Sequence, residues 1–120
     1  MKKAVFGALF LLLFSRGVAQ APVPAADAAR HIGQKTTVCD KVFGGRFLEN
    51  ANEQPTLINM GGAYPDNPFT VVIFANNRKK FSYKPEVFLV DKKVCITGAI
   101  TEFHGKPQIV VTDTLQVVVQ

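Results

Sequence analysis

"KVCITGAITEFHGKPQIVV", Lys93 to Val111, reads as strand, tight turn, strand. Val94, Ile96 and Ile100 fall on alternate positions and form one apolar row. Cys95, Thr97 and Thr101 fall on the opposite face, as the two-residue period of a strand requires. The first strand is expected over Lys93–Phe103. His104-Gly105 suits a hairpin turn that needs positive φ. The second strand is expected to run from Pro107 to Val119. Ile109, Val111, Leu115, Val117 and Val119 would share its inner face, with Asp113 in that row marking a bulge or bend.

Upstream the same pattern recurs. Gln34–Phe47, "QKTTVCDKVFGGRF", places Val38 and Val42 on one face and Cys39, Lys41 and Phe43 on the other. Gly44-Gly45 suggests a bulge or sharp coil in this long strand. A polar loop, "LENANEQP", follows. Thr56–Met60 and Phe69–Ala75 form a further strand pair around Gly61, Gly62, Pro65 and Pro68. Between Asn76 and Lys93 strand character is lost, and Pro85 limits any helix to one or two turns. The chain is therefore mostly β, with five strands and a short helical segment between the third and fourth. That is the order of a five-stranded OB-fold Greek-key barrel.

Cys39 and Cys95 are the two cysteines of the chain. Each follows a core valine, so both lie on the face away from the core row. In an OB-fold the first and fourth strands are neighbours, and a cross-strand disulfide is then within reach. It would close a loop for which chain entropy gives about 4 kcal/mol. Two other readings stay open. The cysteines could be free buried thiols, or they could join His31 and His104 at a metal, although no pair has metal-ligand spacing. A redox centre is disfavoured because there is no C-x-x-C. No cofactor is expected.

The N-terminus has the form of a secretory signal peptide. Met1-Lys2-Lys3 is basic, Ala4–Phe14 is apolar, and "RGVAQA" supplies small residues for cleavage. Cleavage is expected after Ala19, giving a leader over 1–19, with Ala21 as the alternative. The apolar run is short for a membrane span, and no membrane partner is expected after cleavage. Residues 20–30 read as a loosely ordered Pro/Ala linker, and 31–120 as the folded domain. The whole chain carries +5. Without Lys2, Lys3 and Arg16, eleven basic residues face nine acidic ones, a net +2. The apparent basicity is largely a targeting signal, which makes it weak support for a nucleic-acid partner.

"HIGQKTTVCDKV" (31–42), "PTLINMGGAYPDNPFTVVIF" (55–74) and "KKVCITGAITEFHGKPQIVV" (92–111) resemble small secreted bacterial OB-fold domains of the nucleic-acid-binding type. The resemblance implies a binding module, alone behind a signal peptide or working with a secreted nuclease. It is specific for fold more than for activity. The paired acidic and arginine motifs of staphylococcal-type nucleases are missing.

An OB-fold ligand usually lies across strands two and three, between the loops joining strands 1–2 and 4–5. Arg46, Phe47, Tyr64, Phe74, Asn76, Arg78, His104 and Lys106 fall in that range. "NNRKKFSYK" adds Lys79, Lys80 and Lys84 interleaved with Phe81 and Tyr83. That mixture suits single-stranded nucleic acid, which needs cations for phosphates and rings for bases. The competing reading makes the stretch a connector whose Phe81 plugs the barrel. Arg46 and Phe47 could form a cation and stacking pair, or Phe47 could be core. His104 is a turn residue, or a phosphate or metal contact in the loop between strands four and five. No Ser-His-Asp order, H-E-x-x-H or phosphate-cradling glycine loop is present, so no enzyme is expected. The sequence thus points to a non-catalytic OB module in a secreted or periplasmic setting. Its expected ligand is single-stranded or non-specific DNA, with an envelope protein or small ligand as the alternative.

Overall fold

The structure, a computed structural model, describes residues 21–120. The expected signal peptide lies outside the described residues. Six strands follow one another: β1 (Lys35–Phe47), β2 (Thr56–Met60), β3 (Phe69–Ile73), β4 (Lys93–Phe103), β5 (Lys106–Val110) and β6 (Val117–Val119). Two single-turn helices, α1 (Ala75–Arg78) and α2 (Pro85–Phe88), fill the stretch between β3 and β4. Pro85 opens α2, where its missing N–H costs nothing.

The strands form one mixed sheet in the order β1-β2-β3-β5-β4-β6. A further antiparallel pairing of β1 with β4 brings the sheet round on itself in a ring-like arrangement. β1 is long enough to serve two neighbours. Lys35–Lys41 pairs with β4 and Val42–Phe47 with β2. The hand-over falls at a register shift between Val42 and Gly44, the bulge expected at the glycine pair. Gly45 is required there, because a Cβ would stand 2.7 Å from the Leu57 carbonyl oxygen. β5 runs parallel to β3 and antiparallel to β4. Val38, Val42, Ile58, Met60, Phe69, Val71, Ile96, Ile100 and Ile109 fill the interior, each at most 1% exposed.

Cys39 lies opposite Cys95 in the β1–β4 ladder, and the two form a disulfide. The bond ties the strands whose pairing closes the ring, and it removes the free-thiol and cysteine–metal readings. Disulfides persist chiefly in oxidising compartments.

Two expectations need correction. Residues 21–30 are not a loose linker. Val23 N–H donates to the Thr37 carbonyl, and Cys39 N–H donates to the Val23 carbonyl. Ala25–His31 is a 3-10 helix whose Ala25 and Ala28 are fully buried. The Asp40 carboxylate accepts from Ala25 N–H at 2.9 Å. Small side chains let this segment lie close: a Cβ on Gly61, where φ is +81°, would stand 2.6 Å from the Ala25 Cβ. Alanine content that suggests a flexible spacer here serves close packing.

The second correction concerns the last strand. Pro107–Val119 is broken by a 3-10 turn at Thr114–Gln116. The Asp113 carboxylate accepts from Leu115 N–H, and the Gln116 side-chain oxygen accepts from the N–H groups of Asp113 and Thr112. This reciprocal cap outweighs continued pairing. Val111 stays buried, but Leu115 turns outward to 84% exposure and Val119 is also exposed.

Candidate functional site

A strand with one face in the core presents its alternate residues to the outside. On β2 and β3 the outward residues include Leu57, Thr70 and Val72, and on β5 Gln108. They form the floor of a groove of about 890 Å³. Val72 faces away from the core and is still only 5% exposed, because the walls of the groove cover it.

One wall comes from the β1–β2 loop and the end of β3: Leu48, Asn52, Glu53, Pro55 and Phe74. The Glu53 carbonyl accepts from Ala75 N–H at 3.2 Å, which ties that loop to the start of α1. The other wall comes from the β2–β3 loop and the β4–β5 hairpin: Tyr64, Pro65, Phe103, His104 and Lys106, with Pro107 beneath. Tyr64 is 68% exposed and Phe103 61%. The hairpin turn has φ of 52° at His104 and 79° at Gly105, the positive-φ pair expected for it. That geometry sets the His104 ring edge-on to Phe103, with centroids 4.1 Å apart. Lys106 Nζ crosses to the β2–β3 loop and donates to the carbonyls of Pro65 and Asn67. The Asn67 amide in turn donates to the Phe69 carbonyl and the Thr70 hydroxyl. The aromatic wall is thus held by a chain of polar contacts.

The expected site residues divide into three groups. Tyr64, Phe74, His104 and Lys106 line the groove. Arg46 and Phe47 line a smaller recess of about 450 Å³ with Leu48 to Ala51. Asn76, Arg78, Lys79 and Lys80 lie on and just after α1 and line neither.

The cation on Phe47 is Arg78, whose guanidinium carbon sits 3.9 Å from the ring centroid. Arg78 also pairs with Glu86 at 2.7 Å, both side chains largely covered. Lys80 Nζ donates to the Thr112 carbonyl at 2.9 Å. Phe81 and Tyr83 pack against the core cluster, in edge-to-face contact with each other at 5.5 Å. Burial raises the Tyr83 phenol above its usual 10.0. This stretch is a packed connector.

Sequence reasoning missed Phe103, Leu57, Val72, Glu53 and Gln108. Strand alternation alone could have found Leu57 and Val72, since the inward neighbours of each were recognisable. Phe103 was hidden by its place at the end of a strand.

No family model and no curated protein matches the chain. Among solved structures, the chain is similar to a crystal structure described as a putative aspartyl-tRNA synthetase from Leishmania major Friedlin, with TM-score 0.52 and 8% identity. The match covers 93% of this chain and 23% of that one, so the chain spans about a quarter of the length of the structure it matches. At that identity the likeness concerns fold.

Proposed function

We propose that this protein is a non-catalytic binding module of the OB type, and that the outward groove over β2, β3 and β5 receives an extended segment of a partner protein. The ring-like pairing β1-β2-β3-β5-β4-β1, with helices between β3 and β4, supports the OB assignment. β6 is then an addition that continues the line of β5 along β4. The disulfide supports a secreted or periplasmic setting.

The observation that carries the ligand class is the lining. It is mainly aliphatic, aromatic and proline, and it includes one acid, Glu53. Concave apolar surfaces with a few polar groups are the usual receptors for compact or extended organic ligands. Nucleic acid needs cations along its path. Here Arg78 is paired with Glu86 and Lys80 reaches Thr112, which leaves Lys106 as the one Lys or Arg in the groove lining. Tyr64, Phe103 and His104 could stack bases, and this is what favours single-stranded DNA as the second reading.

The two readings separate in one experiment. Anisotropy of labelled (dT)12 and of a labelled apolar octapeptide is followed across a salt series. Peptide binding with a shallow salt dependence, and little DNA binding at moderate salt, is expected. DNA binding with a steep log–log salt slope, and no peptide binding, would overturn the peptide reading.

A further inference from the structure

The groove is electrically polar along its length. Glu53 stands at the end where β3 finishes, beside Phe74. Lys106 and His104 stand at the end where β3 begins, beside Tyr64. Glu53 is outside the three ion pairs found among the described residues, Asp27–Arg30, Lys41–Asp91 and Arg78–Glu86. The hydrogen-bond partners of Lys106 are neutral carbonyls, and Lys106 too is outside those ion pairs. Asp66 and Glu102, the nearest acids in sequence at that end, do not line the groove.

Between the two ends the floor is Leu57 and Val72, giving way to Thr70 and Gln108. Five-residue strands set its length at about 17 Å, room for about five extended residues.

Resting on the reading of the groove as a peptide receptor, we infer that its occupant is an extended apolar segment with unlike charges at its two ends. A basic group sits at Glu53 and a carboxylate at Lys106 and His104. Opposite charges facing each other fix direction and register, while like charges repel a misaligned segment. Direction comes from the charges, and affinity from the apolar floor and the Tyr64–Phe103 wall.

The test uses three end-capped, labelled octapeptides with the same apolar centre. Their residues 2 and 6, spaced to match the groove's length, are Lys and Asp, Asp and Asp, or Lys and Lys. The unmodified protein should bind the Lys/Asp probe about tenfold more tightly than either of the others. E53K should shift preference to the Asp/Asp probe by a similar factor. E53Q should reduce the discrimination without reversing it, and its melting temperature reports that the fold is kept.

Equal binding of all three probes, still weakened by Y64A/F103A, would overturn the charge inference and leave the groove reading standing. Binding of no probe, or binding that Y64A/F103A leaves unchanged, would overturn both. So would (dT)12 as the better ligand.

Discussion

Two regions of this molecule bring aromatic rings and cations together, one at each end of β3, and they use them in opposite ways. At the start of β3, Tyr64, Phe103 and His104 stand in solvent around Lys106. At its finish, Phe81 and Tyr83 are drawn against the core, and Arg78 lies between the Phe47 ring and the Glu86 carboxylate. The composition of the two is alike. The difference is whether the rings have apolar surface to cover. The open end of a ring of strands must be closed, and the connector after β3 supplies that closure. The β4–β5 hairpin has no such gap beneath it, and its rings remain outside. Ring-and-cation composition is therefore no guide to binding until topology says which rings are used up by packing.

The largest effect is expected from the disulfide, which ties the strand frame that carries both regions. Replacing Cys39 and Cys95 by alanine should cost about 4 kcal/mol of stability, from the loop entropy of a 56-residue separation. Urea unfolding of the oxidised protein and the C39A/C95A variant measures it. A loss under about 1 kcal/mol would mean that the ladder closes the ring unaided.

At the closing end, R78A should cost about 3 kcal/mol, since it leaves the covered Glu86 charge unpaired and uncovers Phe47. If R78A left stability intact and abolished ligand binding, the connector would be part of the binding site and the contrast would collapse. At the open end the reverse is expected. Y64A/F103A should change stability by no more than about 0.5 kcal/mol, as exposed residues do. It should weaken peptide binding about tenfold, or about 1.4 kcal/mol.

The smallest effect concerns Tyr83. Burial raises its pKa above 10.0, so the folded protein holds the phenol proton at pH values where the unfolded chain releases it. The stability from that difference is fully present below pH 10 and is lost as pH rises through the folded value. Y83F should therefore show a shallower fall in melting temperature than the unmodified protein above pH 10. Parallel falls would mean that Tyr83 is free to ionise, which would count against its packing in the connector.

Much of the fold is legible in the sequence because strand alternation and turn chemistry are local signals. Thr56–Met60 and Lys93–Phe103 are strands over the ranges expected, and His104-Gly105 turns as its residue types demand. What was not legible depended on competition between local and distant contacts. Asp113 could have been a bulge in a continuing strand; only its bond to Leu115, together with the Gln116 bonds, shows a cap. Ala25 looks like a spacer residue until Gly61 gives it somewhere to pack.

The site followed the same rule. Tyr64, His104 and Lys106 line the groove, and their place at or beside the loops between strands is legible because such residues stay exposed there. Arg78 and Lys80 lie outside the groove because their placement rests on Glu86, Phe47 and Thr112, which the linear order does not tie to them.

A ligand lying on the outward face of β2, β3 and β5 is detected by titrating the ¹⁵N-labelled protein with the Lys/Asp octapeptide. The largest amide shifts are expected at Leu57, Tyr64, Val72, Phe103 and Gln108, with Arg78, Phe81 and Tyr83 nearly still. Shifts concentrated on the α1–α2 connector, with the groove silent, would contradict that placement.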